Sequence, residues 1–77
     1  MKEYKGEEIK NCKLGLYKIH WKKKYGGGKS LTSIGYTSDG TRWIAPSNWV
    51  NTDKTLLTNK WIKKIKKIVL IVENRHR

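Results

Sequence analysis

Apolar and polar residues alternate along two stretches of this chain, and the alternation sets the first expectations. Tyr17, Ile19 and Trp21 fall on one parity, while Lys18, His20 and Lys22 fall on the other. That is the period of a half-buried β-strand. A second pair of alternating runs flanks Ser38-Asp39-Gly40 within SLTSIGYTSDGTRWIAPSNWV, residues 30–50. Asp-Gly between such runs is the strongest short-range hairpin signal a sequence carries. A two-residue Asp39-Gly40 loop sets Ser38 opposite Thr41, Thr37 opposite Arg42, Tyr36 opposite Trp43 and Gly35 opposite Ile44. Tyr36 and Trp43 then form a cross-strand aromatic pair, and Gly35 leaves a gap that a bulky neighbour can cover. Pro46, which has no N–H, ends that strand. Tyr25-Gly26-Gly27-Gly28-Lys29 turns the chain between the first two strands, since glycine adopts backbone conformations closed to other residues. Three antiparallel strands are expected, near 14–24, 30–37 and 41–45.

The remaining segments are less regular. Residues 1–12 read as an irregular lead-in with a short strand near 2–5, anchored by Tyr4 and Ile9. Pro46-Ser47-Asn48 reads as a turn, and Thr52 or Asp53 as a helix cap. Residues 60–72, KWIKKIKKIVLIV, admit two readings. Leu57, Trp61, Ile65, Ile68 and Val72 lie at helical spacing opposite a lysine stripe, as in one amphipathic helix. Residues 68–72 are mostly β-branched with no polar face, which suits a strand. The second reading is preferred: a helical turn near 59–65, then a strand near 66–73. Residues 74–77 are a basic tail. One domain, 1–77, is expected, mainly β: a small SH3-like barrel of four to five antiparallel strands with a short helical turn before the last strand. Closing the sheet protects its edges.

YKIHW (17–21), GGGKS (26–30), DGTRWIAPSNWV (39–50) and WIKKIKKIVLI (61–71) together resemble a group of small uncharacterised bacteriophage-encoded proteins. The resemblance implies a phage origin and a host-cytoplasm setting, in which small phage proteins bind nucleic acid or disable a host protein. It carries over no catalytic residue.

Composition sharpens the partner. The 77 residues hold 18 basic and 6 acidic side chains, a formal charge of +12. A small domain needs a magnitude of only about 2–8 for solubility. The excess is unevenly spread. Residues 1–12 are neutral, 13–29 carry +6, 30–53 carry −1 and 54–77 carry +7. A compositional bias would have charged the middle too. If folding brings the two lysine groups together, they make a stripe suited to phosphates. The candidate contacts are Lys18, Lys22, Lys23, Lys24, Lys29, Arg42, Lys60, Lys63, Lys64 and Lys67, with Tyr25 at the glycine turn as a stacking ring. Trp21, Trp43, Trp49 and Trp61 are assigned to the core. Lys outnumbers Arg fifteen to three. Bidentate reading of base edges favours Arg, so binding should tolerate any sequence.

Other chemistries lack their residues. One Cys and two His (Cys12, His20 and His76) fall short of a Cys/His zinc site. A Cys12–His20 thiol dyad lacks an orienting third residue, so Cys12 is read as a small core residue and His20 as exposed. GGGKS lacks the GxxxxGK[ST] spacing of a phosphate loop and reads as a hairpin loop. Asp39 belongs to its turn. A single cysteine weakly favours a reducing compartment. The first residues hold no signal peptide, and the longest apolar run, five residues, is far short of the ~20 needed to span a bilayer. The expectation is a cytoplasmic binding protein, not an enzyme, with no cofactor and no metal. Nucleic acid, DNA or RNA, is the expected partner. A host protein is the alternative. A membrane surface is disfavoured, and a thin core admits a homodimer.

Overall fold

The computed structural model describes residues 2–46 and 54–73. Six antiparallel strands form one sheet in the order β1-β6-β2-β3-β4-β5. They are β1 Glu3–Tyr4, β2 Gly15–Trp21, β3 Lys29–Tyr36, β4 Arg42–Pro46, β5 Thr55–Leu56 and β6 Ile65–Glu73. Among the described residues one α-helix, α1 Asn59–Ile62, precedes the last strand. The protein is thus a small, mainly β domain with the expected helical turn before its final strand. Among the described residues the sheet stays open: β1 and β5 end it and do not pair with each other. Each is only two residues long, and short edges offer little template for strand addition.

Alternation in β2 sorts the sheet into two faces. Tyr17 and Ile19 are fully buried, and Lys18 is exposed. Cross-strand register extends the buried face to Ile34 on β3 and Ile68 on β6. Ile9, Cys12, Leu57 and Ile62 close over it. The opposite face, called the open face below, exposes Lys18, Lys29 and Leu31, although Val69 and Ala45 on it are buried.

β6 departs from strict alternation, and the reason is chemical. In Ile65-Lys66-Lys67-Ile68 both isoleucines are buried although they stand three apart. An unbroken strand would point them to opposite faces and drive one lysine inward. A bulge prevents this: Trp21 pairs with Ile65, His20 pairs with Lys67, and Lys66 is the extra residue. A second register shift between Leu16 and Tyr17 leaves Ile71 unpaired. Residues 60–72 are therefore not one amphipathic helix.

The lead-in carries the expected short strand as β1, with Tyr4 and Ile9 buried as its anchors, but the rest is regular where irregular chain was expected. After β1 it forms a 3₁₀ turn, Gly6–Asn11. The Glu8 carboxylate accepts the Lys5 N–H at 3.1 Å. Ile9 and Cys12 then fill the core, burial that fixes a segment too polar on average to look structured. Tyr17 donates its hydroxyl to the Lys13 carbonyl at 2.6 Å, and the Tyr4 hydroxyl accepts the Lys13 N–H at 3.3 Å.

The β3–β4 hairpin is offset by one residue from expectation. Tyr36 faces Arg42, Gly35 faces Trp43 and Ile34 faces Ile44. The loop is Ser38-Asp39-Gly40, with Thr37 bonded to Thr41 and Gly40 at φ +91°. This is the three-residue hairpin ending in a left-handed residue. Asp39 selects it: its carboxylate accepts the Thr37 hydroxyl and the Thr41 N–H. The Thr37 hydrogen bond chiefly, then Thr41, lowers the Asp39 pKa to about 2. The gap at Gly35 is filled by Trp43, whose Cε2 would lie 2.6 Å from a β-carbon there. No aromatic pair forms; Arg42 covers Tyr36 instead, 5.4 Å from its ring centre.

The turn at 47–48, the cap at Thr52 or Asp53, the Trp49 core position and the tail 74–77 lie outside the described residues.

Candidate nucleic-acid interface

β2 ends at Trp21, three residues before the expected boundary, because Lys22 leaves the sheet. Its N–H donates to the Lys64 carbonyl, just beyond α1, at 2.9 Å. Lys23–Tyr25 form a 3₁₀ turn, and Gly26 and Gly27 return the chain at φ +108° and +66°. The Trp21 N–H then donates to the Gly28 carbonyl at 2.9 Å. GGGKS is thus a hairpin loop feeding β3. The Lys22–Lys64 bond joins the first lysine group to the second.

Two adjoining surfaces result. The first is an aromatic cleft of about 340 Å³ lined by Trp21, Tyr25, Trp61 and Lys64. Trp21 and Trp61 meet edge to face, with ring centres 6.2 Å apart. The Lys64 ammonium lies 4.8 Å from the Trp61 ring centre and 5.4 Å from that of Tyr25. Lys24 approaches Tyr25 at 5.8 Å. The second is a groove of about 420 Å³ beside it, lined by His20, Lys23, Lys29, Lys66 and the glycine run. Trp21 borders both, and its indole N–H donates to the Ser30 hydroxyl at 3.0 Å.

On the open face His20 stands directly between Lys29 and Lys67, one on each neighbouring strand. Lys18 follows two residues along. The histidine is half-buried rather than exposed. Its pKa is lowered, first by desolvation and then by Lys67, Lys29 and Lys18, against an opposing pull from Glu3. Glu3 also pairs with Lys67 at 3.3 Å. Among the described residues, Lys67 is the one predicted contact lysine with a carboxylate in ion-pair range.

Of the predicted residues, Lys18, Lys23, Lys24, Tyr25, Lys29, Lys64 and Lys67 lie on these surfaces, and Lys22, exposed, adjoins them through its backbone bond to Lys64. Lys60 and Lys63 are on α1 and its C-cap, Lys60 and Lys63 both reaching solvent. Arg42 is elsewhere. It sits at the far end of β3 from Lys29, roughly 23 Å along the strand. Its guanidinium donates to the Cys12 and Gly40 carbonyls, both at 2.9 Å, a half-buried structural role. Trp21, Trp61, Lys66 and His20 complete the site. Trp21 and Trp61 border the core instead of filling it, and Trp43 covers Gly35 on the open face. The sequence signal for Trp21 is its place at the end of the strand, beside the glycine turn.

Cys12 is fully buried beneath the other face, away from His20 on the open one, so the two form no dyad. Burial raises the Cys12 pKa. Among the described residues no group of three His, Cys, Asp or Glu side chains could hold a metal. No helix among them is long and apolar enough to cross a membrane. No family model, curated protein or solved structure matches this chain.

Proposed function

We propose that this protein binds nucleic acid without sequence preference, through the lysines around the β2–β3 loop and β6. The observation that carries the reading is the Lys22–Lys64 backbone bond. Two groups distant in the chain thereby adjoin at the β2–β3 loop, where Trp21 borders both the aromatic cleft and the basic groove. Only Glu3 intrudes on these surfaces as a paired acid among the described residues. Lysine ammonium groups attract phosphates as point charges, and rings supply stacking indifferent to base identity. Joined to the phage resemblance, the reading sets the action in the host cytoplasm.

A salt titration tests it. Neutralising about six phosphates gives a log–log slope near −5 on duplex DNA. A tight complex whose affinity ignores salt contradicts the reading.

A second reading has one observation in its favour. Leu31 and Val72, both exposed, share the open face with Lys18, so an acidic host protein could dock there with apolar contacts and electrostatic steering. A stoichiometric protein captured from nuclease-treated lysate and retained in high salt would select it.

A further inference from the structure

We propose that the protein takes single-stranded nucleic acid in preference to duplex, seating an unpaired base in the Trp21–Tyr25–Trp61 cleft. This rests on the nucleic-acid reading above and goes beyond it in naming the form of the ligand.

The shape of the cleft comes first. Trp21 and Trp61 meet at 67°, so they form a corner and not a flat wall. Tyr25, 39% exposed, stands at the tip of the loop opposite. A corner of about 340 Å³ admits a planar ring. A duplex keeps its base faces inside the stack and brings only its backbone and groove edges to such a corner. An unpaired base presents an open π-face, and every base has one.

Lys64 adds an independent observation. Its ammonium lies over both Trp61 and Tyr25, with no carboxylate in ion-pair range among the described residues. A base stacking on Trp61 takes that place. The displaced ammonium then turns to the adjoining phosphate, and Lys24, near Tyr25, reaches the phosphate on the other side. The ring faces hold the base and the lysines hold the backbone.

Charge by itself favours the opposite ligand. Duplex DNA carries one charge per about 1.7 Å of axis, and each of its strands alone about half that density. A preference for the single strand therefore requires the rings.

The full chain is titrated, at one salt concentration, into a labelled thymidine oligomer, a uridine oligomer and a duplex of the same length. Both single strands should bind more tightly than the duplex and quench tryptophan emission. Trp61→Phe should remove much of that quench. Tyr25→Ala should weaken single-strand binding on the order of tenfold, a larger loss than the one it causes on the duplex. Circular dichroism checks that this variant folds; if it does not, the quench in the unaltered chain decides. Duplex binding as tight as single-strand binding, with no quench, overturns the proposal and leaves nucleic-acid binding standing. No binding to any of the three at low salt removes both.

Discussion

At one end of β3 the Arg42 guanidinium lies over the Tyr36 ring, and at the other the Lys64 ammonium lies over Tyr25 and Trp61. Both ends are hairpin loops with a cation on an aromatic face. The difference is in what else the cation touches. Arg42 donates to two carbonyls, and Asp39 closes the same loop through two hydrogen bonds. Lys64 has a backbone tie and no carboxylate in range among the described residues. One end satisfies its polar groups internally. The other leaves charge and ring faces open, and open groups are the ones a ligand can use.

The largest expected effect follows from the packing at the self-satisfied end. Gly35→Ala sets a β-carbon into the Trp43 ring, and overpacking of this kind costs about 3 kcal/mol. The denaturant midpoint should fall sharply. A Trp43→Leu partner change should recover part of that stability, which a double-mutant cycle would show. Gly28→Ala at the basic end meets nothing within 4 Å and has no positive φ, so its midpoint should hold or rise slightly. Equal destabilisation at the two glycines would erase the contrast.

The strand pattern is readable where alternation is strict. Tyr17, Ile19 and Lys18 declare β2, and the β-branched run after Ile65 declares β6. The bulge at Lys66 is also written in the chain, as two isoleucines three apart around two lysines; a strand can bury both only by adding a residue. The hairpin offset is harder. Asp39-Gly40 fits a two-residue loop equally well, and the choice is made by Asp39 bonding to Thr37 and Thr41, a geometry that composition does not rank. The lead-in is legible in part: Tyr4, Ile9 and Cys12 read as buried residues and are buried, but the charged residues among them give no sign of the 3₁₀ turn, which tertiary burial orders. The site is half legible. Segregated charge marks the lysines, but the Lys22–Lys64 bond is a long-range contact without a sequence signature. Arg42 joins them by its charge alone.

Charge substitutions sharpen the same contrast with a middle-sized effect. Replacing Lys22, Lys23 and Lys24 together by Gln should reduce the magnitude of the salt slope by about 3, near one for each phosphate no longer neutralised. Stability should change little, because all three are exposed. Arg42→Gln should do the reverse. It should leave the salt slope alone and cost about 1.5 kcal/mol of stability, the worth of hydrogen bonds from a charged donor. An Arg42 variant that lowers affinity and slope as the lysine variant does would mean the two ends act as one surface.

The smallest effect, and the most local, is on His20. Its folded pKa lies below the unfolded value of about 6.5, through desolvation first and then Lys67, Lys29 and Lys18. The unfolded chain therefore binds the proton more readily, and stability falls as pH drops from above the unfolded value through the folded one. A polyanion laid across the open face opposes the three lysines and raises the His20 pKa. Binding then takes up a fraction of a proton, so affinity should strengthen as pH falls from the His20 pKa in the complex to that in the free protein and level off below it. His20→Gln should flatten the dependence, and the imidazole shifts in an NMR titration would report the pKa directly with and without ligand. A bound ligand that leaves the His20 titration unmoved would confine the interface to the aromatic cleft and exclude the open face of the sheet, since no charge could lie between Lys29 and Lys67 without the imidazole registering it.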